Sequence, residues 1–397
     1  MTRPAAGLRS WAGRHWRTGE PVVVTAEGAR IAAVGPAEGA EADAAARGWI
    51  VPGLIDLQVN GIAGFDLNRG EPDPANVAGA VRALQTSGVT RFCPTVGTAS
   101  EQHIVGALQA IAAACASDPD VEHAVAGVHV EGPFISAEDG PRGVHDPAWV
   151  RDPDWAEFER WQDAAGGRIR IVTLAPERPG SVELIRRLAA AGVIASIGHT
   201  AATEQQVSAA VDAGATMSTH HGNGAHALLP RHPNHIWAQL ADDRLTAGFI
   251  GDGFHLGAAP LTAMLRAKGE HAVLVSDVTS LAHMAPGRYR GLHHTDVVLE
   301  PNGRLHIADA PQLLAGSAST LADGLAFVLH AGIAAFPGAI ALASARPAVL
   351  LGLDDGSGDL VAGGVCDLAR IAWDGERLEV IETVALGRTV HGGGDVG

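Results

Sequence analysis

Strand-type apolar runs at Ile50–Asn60, Gly88–Thr95, Ala124–Glu131, Arg168–Leu174, Val193–His199, Ala215–His220, Leu245–Ile250 and Ala272–Asp277 alternate with helix-type stretches such as Asn76–Ser87, Glu101–Ala116, Ser181–Ala191 and Ala258–Lys268. Parallel neighbours need a crossover of a dozen residues or more, usually a helix. Eight strands linked this way specify a (β/α)8 TIM barrel, with the ligand-binding loops gathered at the carboxyl ends of the strands. The competing arrangement, an open doubly wound sheet, calls for a GxGxxG fingerprint after its first strand, and none is present.

Outside this alternation, short strand-type runs occur at Pro21–Thr25 and Arg30–Val34 and again at Gly364–Trp373, Leu378–Val384 and Arg388–His391. Neither group suffices for a domain. The two ends are therefore expected to combine into a small β-sandwich domain formed by both chain termini, residues 1–50 plus 358–397, leaving 51–357 to the barrel. Two segments exceed ordinary loop length: 136–167, with Trp149, Trp155, Phe158 and Trp161, and 282–309, with the turn EPNGR. Insertions of this kind on a catalytic face are expected to shape a substrate pocket.

The chain carries 28 basic against 44 acidic residues, a formal charge of −16, which disfavours nucleic acid and anionic membrane as partners. No apolar run approaches a bilayer span, and MTRPAAGLRSWAGRHW lacks the apolar core of a signal peptide, so the expected location is cytoplasmic. Cys93, Cys115 and Cys366 are odd in number and lack metal-type spacing, which argues against a disulfide framework. Lys268 is the sole lysine, at a predicted helix end far from the strand rim. Schiff-base and pyridoxal-phosphate chemistry, which need an amine at the site, are thereby disfavoured.

The stretch VIASIGHTAATEQQVSAAVDAGATMSTHHGN, Val193–Asn223, points to the chemistry. Its two strand runs each end in a histidine, His199 and His220. Between them Thr203 is a predicted N-cap, Gln206 completes a capping box, and Val207, Ala210 and Val211 form an apolar stripe. Two histidines at equivalent strand ends point to the rim. The ends of strands one, three and eight add Gln58 and Asn60, Glu131, and Asp277. Glu131, His199 and His220 form an O/N/N set suited to one divalent metal with a position left for water; zinc fits best, and iron or another divalent ion is compatible. Asp277 then stands as a carboxylate beside that water. His129 is expected to orient a ligand through a hydrogen bond. Gly316–Ser319 reads as a packing turn and Asp252 as structural.

The segments DLQVNG, GVHVEGPFIS, SIGHT, STHHGNGAH, GDGFH, LVSDVTS and LLAGSAST, in that order between Val51 and about Asp367, closely resemble those of the N-acetylglucosamine-6-phosphate deacetylases of the amidohydrolase superfamily. The resemblance implies a metal-dependent barrel that hydrolyses the acetamide of an N-acetyl amino sugar, in the first instance N-acetylglucosamine 6-phosphate, to glucosamine 6-phosphate and acetate. It implies Glu131, His199 and His220 as metal ligands, Asp277 as the catalytic aspartate, and His145 of RGVHD beside the substrate, a candidate oxyanion donor. Substrate contact falls to Asn223, Gly224 and Arg231, to His255 of DGFH, and to the strand-one amides Gln58 and Asn60. Because the superfamily's usual first-strand HxH is replaced by those amides, one metal ion per subunit is expected. A homodimer is implied as well, since relatives complete the pocket from a neighbouring subunit.

The loop after His220 departs from the family. It runs His221-Gly222-Asn223-Gly224-Ala225 where relatives read close to THLYNAM or THLFNAM, and continues to Arg231. Arg231 is the nearest match to an arginine that in relatives reaches the phosphate across the subunit interface, but Pro230 and Pro233 flank it. A displaced arginine fork would select less strongly for a dianion. The alternatives carried forward are an unphosphorylated N-acetyl sugar, an N-acyl-D-amino acid or cyclic amide, and, outside enzymes, a non-catalytic interaction homologue, which the intact metal and acid–base positions disfavour.

Overall fold

A computed structural model describes residues 7–45, 48–68, 70–290 and 295–393. Eight strands form one parallel sheet: β1 (Leu54–Val59), β2 (Val89–Gly97), β3 (Val128–Glu131), β4 (Ile169–Leu174), β5 (Ile194–Ile197), β6 (Met217–Ser218), β7 (Thr246–Ile250) and β8 (Ala272–Val275). Each pairs with the next in chain order, and Val59 bridges Val278 just beyond β8, which closes the sheet into the expected barrel. Every residue of β1, LIDLQV, and of β8, AVLV, is buried, as strands covered on both faces require.

The helix Glu204–Asp212 between β5 and β6 begins as expected. The Thr203 hydroxyl accepts from the Gln206 backbone N–H at 3.3 Å, and the Gln206 side chain accepts from the Thr203 N–H at 2.8 Å. The sole lysine also has a local role. Lys268 ends the helix Ala258–Lys268, where its buried Nζ donates to the carbonyls of Gln239 at 3.2 Å and Asp242 at 2.7 Å. It thereby satisfies carbonyls at the C-terminus of the helix His235–Ala241.

Several strands are shorter than their apolar runs. The first run splits: Trp49–Pro52 pairs with Leu368–Ile371, and β1 starts at Leu54. Gly53 makes the break, because a Cβ there would lie 2.1 Å from Thr90 Oγ1. The run expected over 124–131 also splits, since Asp118 caps a helix, Pro119–Ala124, with proline at its first position.

The terminal strands form one seven-stranded sheet in the order Arg388–Gly392, Leu378–Ala385, Leu368–Trp373, Trp49–Pro52, Arg9–His15, Pro21–Glu27, Arg30–Pro36. The hydropathy pattern did not disclose Arg9–His15, in which only Trp11 and Gly13 are buried. The sheet curls back on itself, the Ile31 N–H bonding the Gly364 carbonyl and the Gly363 N–H bonding the Ile31 carbonyl. The small terminal β domain is thus a single continuous sheet.

The described residues group into two compact units, Met1–Asp56 with Arg82–Arg91 and Leu321–Gly397, and Leu57–Val81 with Phe92–Thr320. The first also takes in helices Leu321–His330, Phe336–Leu342 and Ala345–Leu351, ahead of the boundary expected at 358. Within that unit Leu321–His330 packs on the strand Leu378–Ala385. The second unit includes a four-stranded antiparallel sheet, Gly287–Arg290, Asp296–Leu299, Leu305–Ile307 and Ala310–Leu314, which the long segment after β8 largely forms.

The other long segment contains a helix, Trp155–Ala164, that buries Phe158 and Trp161. Trp161 stacks on Phe134 with ring centroids 5.1 Å apart. Phe158 and Trp161 are core, while the segment shapes the cavity described below as expected, through Gly140, Gly143, Val144, His145, Asp146 and, of its four named aromatics, Trp149. No helix among the described residues is long and apolar enough to cross a membrane.

Trp161→Ala is expected to lower the unfolding free energy by about 3–5 kcal/mol, since it leaves a large cavity beside Phe134. Urea denaturation measures this, and a loss below about 1 kcal/mol would show that the site collapses without cost.

Candidate active site

His199, His220 and Asp277 share one local device. Each lies two residues beyond the end of its strand, β5, β6 or β8, and each has left-handed backbone, with φ of 49°, 27° and 50°. Residues with a Cβ rarely adopt this region, and only Ala63, His283 and Leu386 share it among the described non-glycine residues. The three left-handed turns bring all three side chains to one cavity wall. Glu131 reaches the same wall as the last residue of β3.

The donor atoms converge. Glu131 Oε1 lies 3.2 Å from His199 Nε2 and 3.0 Å from His220 Nε2, and the two imidazole nitrogens are 3.0 Å apart. All three side chains are buried. His199 Nδ1 donates to the Pro141 carbonyl at 2.8 Å, so the lone pair of the neutral ring sits on Nε2 and faces the cluster. Burial works against ionisation of Glu131, but the two imidazoles beside it outweigh burial and hold the carboxyl well below its usual range. One carboxylate oxygen and two imidazole nitrogens, all within 4.8 Å of one another, fit a divalent cation.

The strand-one amides hold carboxylates. Gln58 Nε2 donates to Glu131 Oε1 at 2.8 Å from behind, off the cavity wall, and Asn60 Nδ2 donates to Asp277 Oδ1 at 2.8 Å on the wall. His129 lies deeper. Its Nδ1 donates to the Leu57 carbonyl at 3.1 Å and its Nε2 accepts from Thr173 Oγ1 at 2.7 Å, and burial pushes its pKa down to about 4. These bonds tie strands together and reach none of the three cluster side chains, so the ligand-orienting contact expected of His129 is not made. Thr173 continues the ladder to Thr219, and Thr219 to Ser196, both at 2.6 Å.

The cluster opens on a cavity of about 810 Å³, within the usual range for small-molecule sites. His145, Asn223, Gly224 and His255 line it, whereas Arg231 is exposed and does not. His145 brings Nε2 to 3.3 Å from His199 Nε2. His255 is aimed by Asp252, whose Oδ2 accepts from His255 Nδ1 at 2.7 Å while Oδ1 accepts the backbone N–H groups of Phe254 and His255, both at 2.9 Å. Although burial opposes it, the bond to His255 keeps the Asp252 carboxyl below its usual range. Asp252 is therefore structural in a specific sense, setting the His255 tautomer.

The segment after β8 supplies the far wall as expected, with Arg304 and Ile307 reaching the cavity, and the strand Ala310–Leu314 beyond its expected end adds Gln312 and Leu313, which sequence reasoning missed. No short motif marks them. The Arg304 guanidinium is engaged by Glu300 at 3.1 Å and by the Pro311 carbonyl. Gly224 carries a signal of its own, with φ of 59° and room for no more than hydrogen, since a Cβ would lie 3.0 Å from His199 Nδ1.

Residues 49–392 match the amidohydrolase family. N-acetylglucosamine-6-phosphate deacetylase of Bos taurus is 35% identical over 80% of this chain and 78% of its own length. N-acetylgalactosamine-6-phosphate deacetylase of Escherichia coli O157:H7 is 32% identical over 79% of this chain and 81% of its own length. Among solved structures, a variant N-acetyl-D-glucosamine-6-phosphate deacetylase from Mycobacterium smegmatis, in complex with N-acetyl-D-glucosamine-6-phosphate, matches with a TM-score of 0.82 at 30% identity, covering 93% of this chain and 94% of that one.

Gly224→Ala is expected to push the His199 ring off the Pro141 carbonyl and to weaken binding of a divalent ion about tenfold or more, the scale of losing an outer-shell hydrogen bond. Calorimetric titration with zinc measures this, and an unchanged affinity would show that the loop yields freely.

Proposed function

The chain belongs to the amidohydrolase family, in its N-acetylglucosamine-6-phosphate deacetylase branch, and we propose that it removes the acetyl group from an N-acetyl amino-sugar phosphate, N-acetylglucosamine 6-phosphate first, giving the free amine and acetate. The observation that carries this reading is the convergence of the Glu131, His199 and His220 donors beside Asp277 on one cavity wall.

In this reading Glu131, His199 and His220 hold one divalent ion, zinc being the best match to the O/N/N set. When bound, the ion supplies Lewis acidity that lowers the pKa of a water toward neutrality and polarises the acetamide carbonyl. Asp277, its Oδ1 engaged by Asn60, takes the proton of the attacking water on Oδ2 and delivers it to the nitrogen as the C–N bond breaks. His145 Nε2 donates to the developing oxyanion. His255, fixed by Asp252, and Asn223 contact the sugar.

The anionic end of the substrate admits a second reading. Among the described residues on the cavity wall, Arg304 is the one arginine or lysine, and Glu300 already pairs it. In a homodimer, Arg231 of the partner subunit would supply the missing charge from its exposed loop. Without that contribution the cavity suits an unphosphorylated N-acetyl sugar.

The test is kcat/KM of the zinc-loaded protein for N-acetylglucosamine 6-phosphate, for the unphosphorylated sugar, and for N-acyl-D-amino acids and dihydropyrimidines. A preference for the phosphate of roughly a thousandfold, about 4 kcal/mol, that Arg231→Ala removes is expected. Equal rates on the two sugars would establish the second reading, and amine release from neither would remove the deacetylase function. Asp277→Asn is expected to keep metal and KM while slowing turnover by about two to four orders of magnitude, the usual worth of a positioned acid–base group. Metal loss in that variant, read by elemental analysis, would make Asp277 a ligand.

A further inference from the structure

We infer that Asn68 is a positioning residue for Asp277, acting through Asn60; the inference rests on the hydrolytic role just given to Asp277. Asn68 follows the short strand Phe65–Asp66, and its side chain is fixed at both ends by backbone groups that have no choice of role. Its Oδ1 accepts the Gly97 N–H at 2.7 Å, and its Nδ2 donates to the Thr95 carbonyl at 2.8 Å. An amide so held cannot flip without setting donor against donor and acceptor against acceptor.

That fixed orientation is passed on. Asn68 Nδ2 also lies 3.4 Å from Asn60 Oδ1, so Asn60 presents its oxygen to Asn68 and its NH₂ to Asp277 Oδ1. Were Asn60 reversed, its oxygen would face the Asp277 carboxylate at that 2.8 Å contact and its NH₂ would face the NH₂ of Asn68. Asn68 therefore selects the one rotamer of Asn60 that donates to Asp277. Its own loop is tied to the Asp277 loop, because Asp66 Oδ1 accepts the Asn68 N–H at 2.9 Å while Asp66 Oδ2 accepts from Ser280 Oγ at 2.7 Å. With Oδ1 of Asp277 committed to this donor, proton transfer is directed to Oδ2. Asn60, Asn68 and Asp277 all stand on the cavity wall.

A double-mutant cycle tests the relay. Asn68→Asp keeps an acceptor for the Gly97 N–H and removes the NH₂ group; it is made alone and with Asn60→Ala, and assayed on the N-acetyl sugar that the unmodified enzyme turns over fastest. Expected is a fall in kcat of about tenfold or more in the Asn60 background, with KM and bound zinc unchanged, shrinking to less than about twofold in the Asn60→Ala background. Equal losses in both backgrounds, or a change in KM or zinc content in place of kcat, would overturn the relay. Should Asn68→Asp fail to fold by thermal melting, Asn68→Ala is run through the same cycle and judged by the same coupling. An inactive parent enzyme would overturn the functional reading and this inference with it, whereas an active parent with additive losses overturns the relay alone.

Discussion

One buried carboxylate oxygen, Glu131 Oε1, governs the site. Gln58 Nε2 and the Nε2 atoms of His199 and His220 all lie within 3.2 Å of it. A carboxylate taken out of water is costly unless donors or a cation offset it, and Gln58 is such a donor. Gln58, His199 and His220 come from three strands that meet only because the barrel closes, so the arrangement depends on the whole ring. The left-handed turns at His199 and His220 follow from the same demand. A side chain continuing the alternation of its strand would point into the wall or along the axis, and the turn re-aims it at the shared centre.

The barrel was legible because it is periodic. Eight apolar runs separated by helix-type segments leave few topologies, and the capping box at Thr203 and Gln206 is a local signal that the structure repeats bond for bond. What was not legible depends on contacts between distant residues. The break at Gly53 arises from the approach of Thr90, 37 positions away in the numbering, and Arg9–His15 becomes a strand by pairing with Pro21–Glu27 on one side and Trp49–Pro52 on the other. The burial of Trp161 against Phe134 by the helix Trp155–Ala164 is another such contact.

At the site, residue types at strand ends were enough to collect Glu131, His199, His220 and Asp277, because only a few titratable groups occupy those ends. Residues that act on these groups were harder to find. His129 stands on β3 with Glu131 and invited a ligand-orienting role, yet its two ring nitrogens are committed to Leu57 and Thr173. Asp252, three residues before His255, turns that ring by a side-chain bond that sequence distance alone does not reveal. Asn68 leaves no trace in composition or spacing; its position is fixed by the backbone of Gly97 and Thr95.

The two ends of the cavity are built differently, and this difference explains where a family of this kind can change substrate. At the chemical end, carboxylates and imidazoles are held by strand-borne amides and backbone carbonyls, each partner holding another in place. A substitution there propagates through several hydrogen bonds. The far wall is made by the antiparallel sheet, where Leu313 stands 49% exposed and the arginine on the wall is bound to a neighbouring glutamate. The Arg304 guanidinium bonds Glu300 and the Pro311 carbonyl, and not the Glu131, His199 and His220 cluster. Charge at that end can therefore be gained, lost or supplied by a second subunit while Glu131, His199, His220 and Asp277 keep their geometry. In the proposed reading, reaction type follows from the barrel rim, and preference among N-acetyl substrates follows from what supplies charge at the far wall.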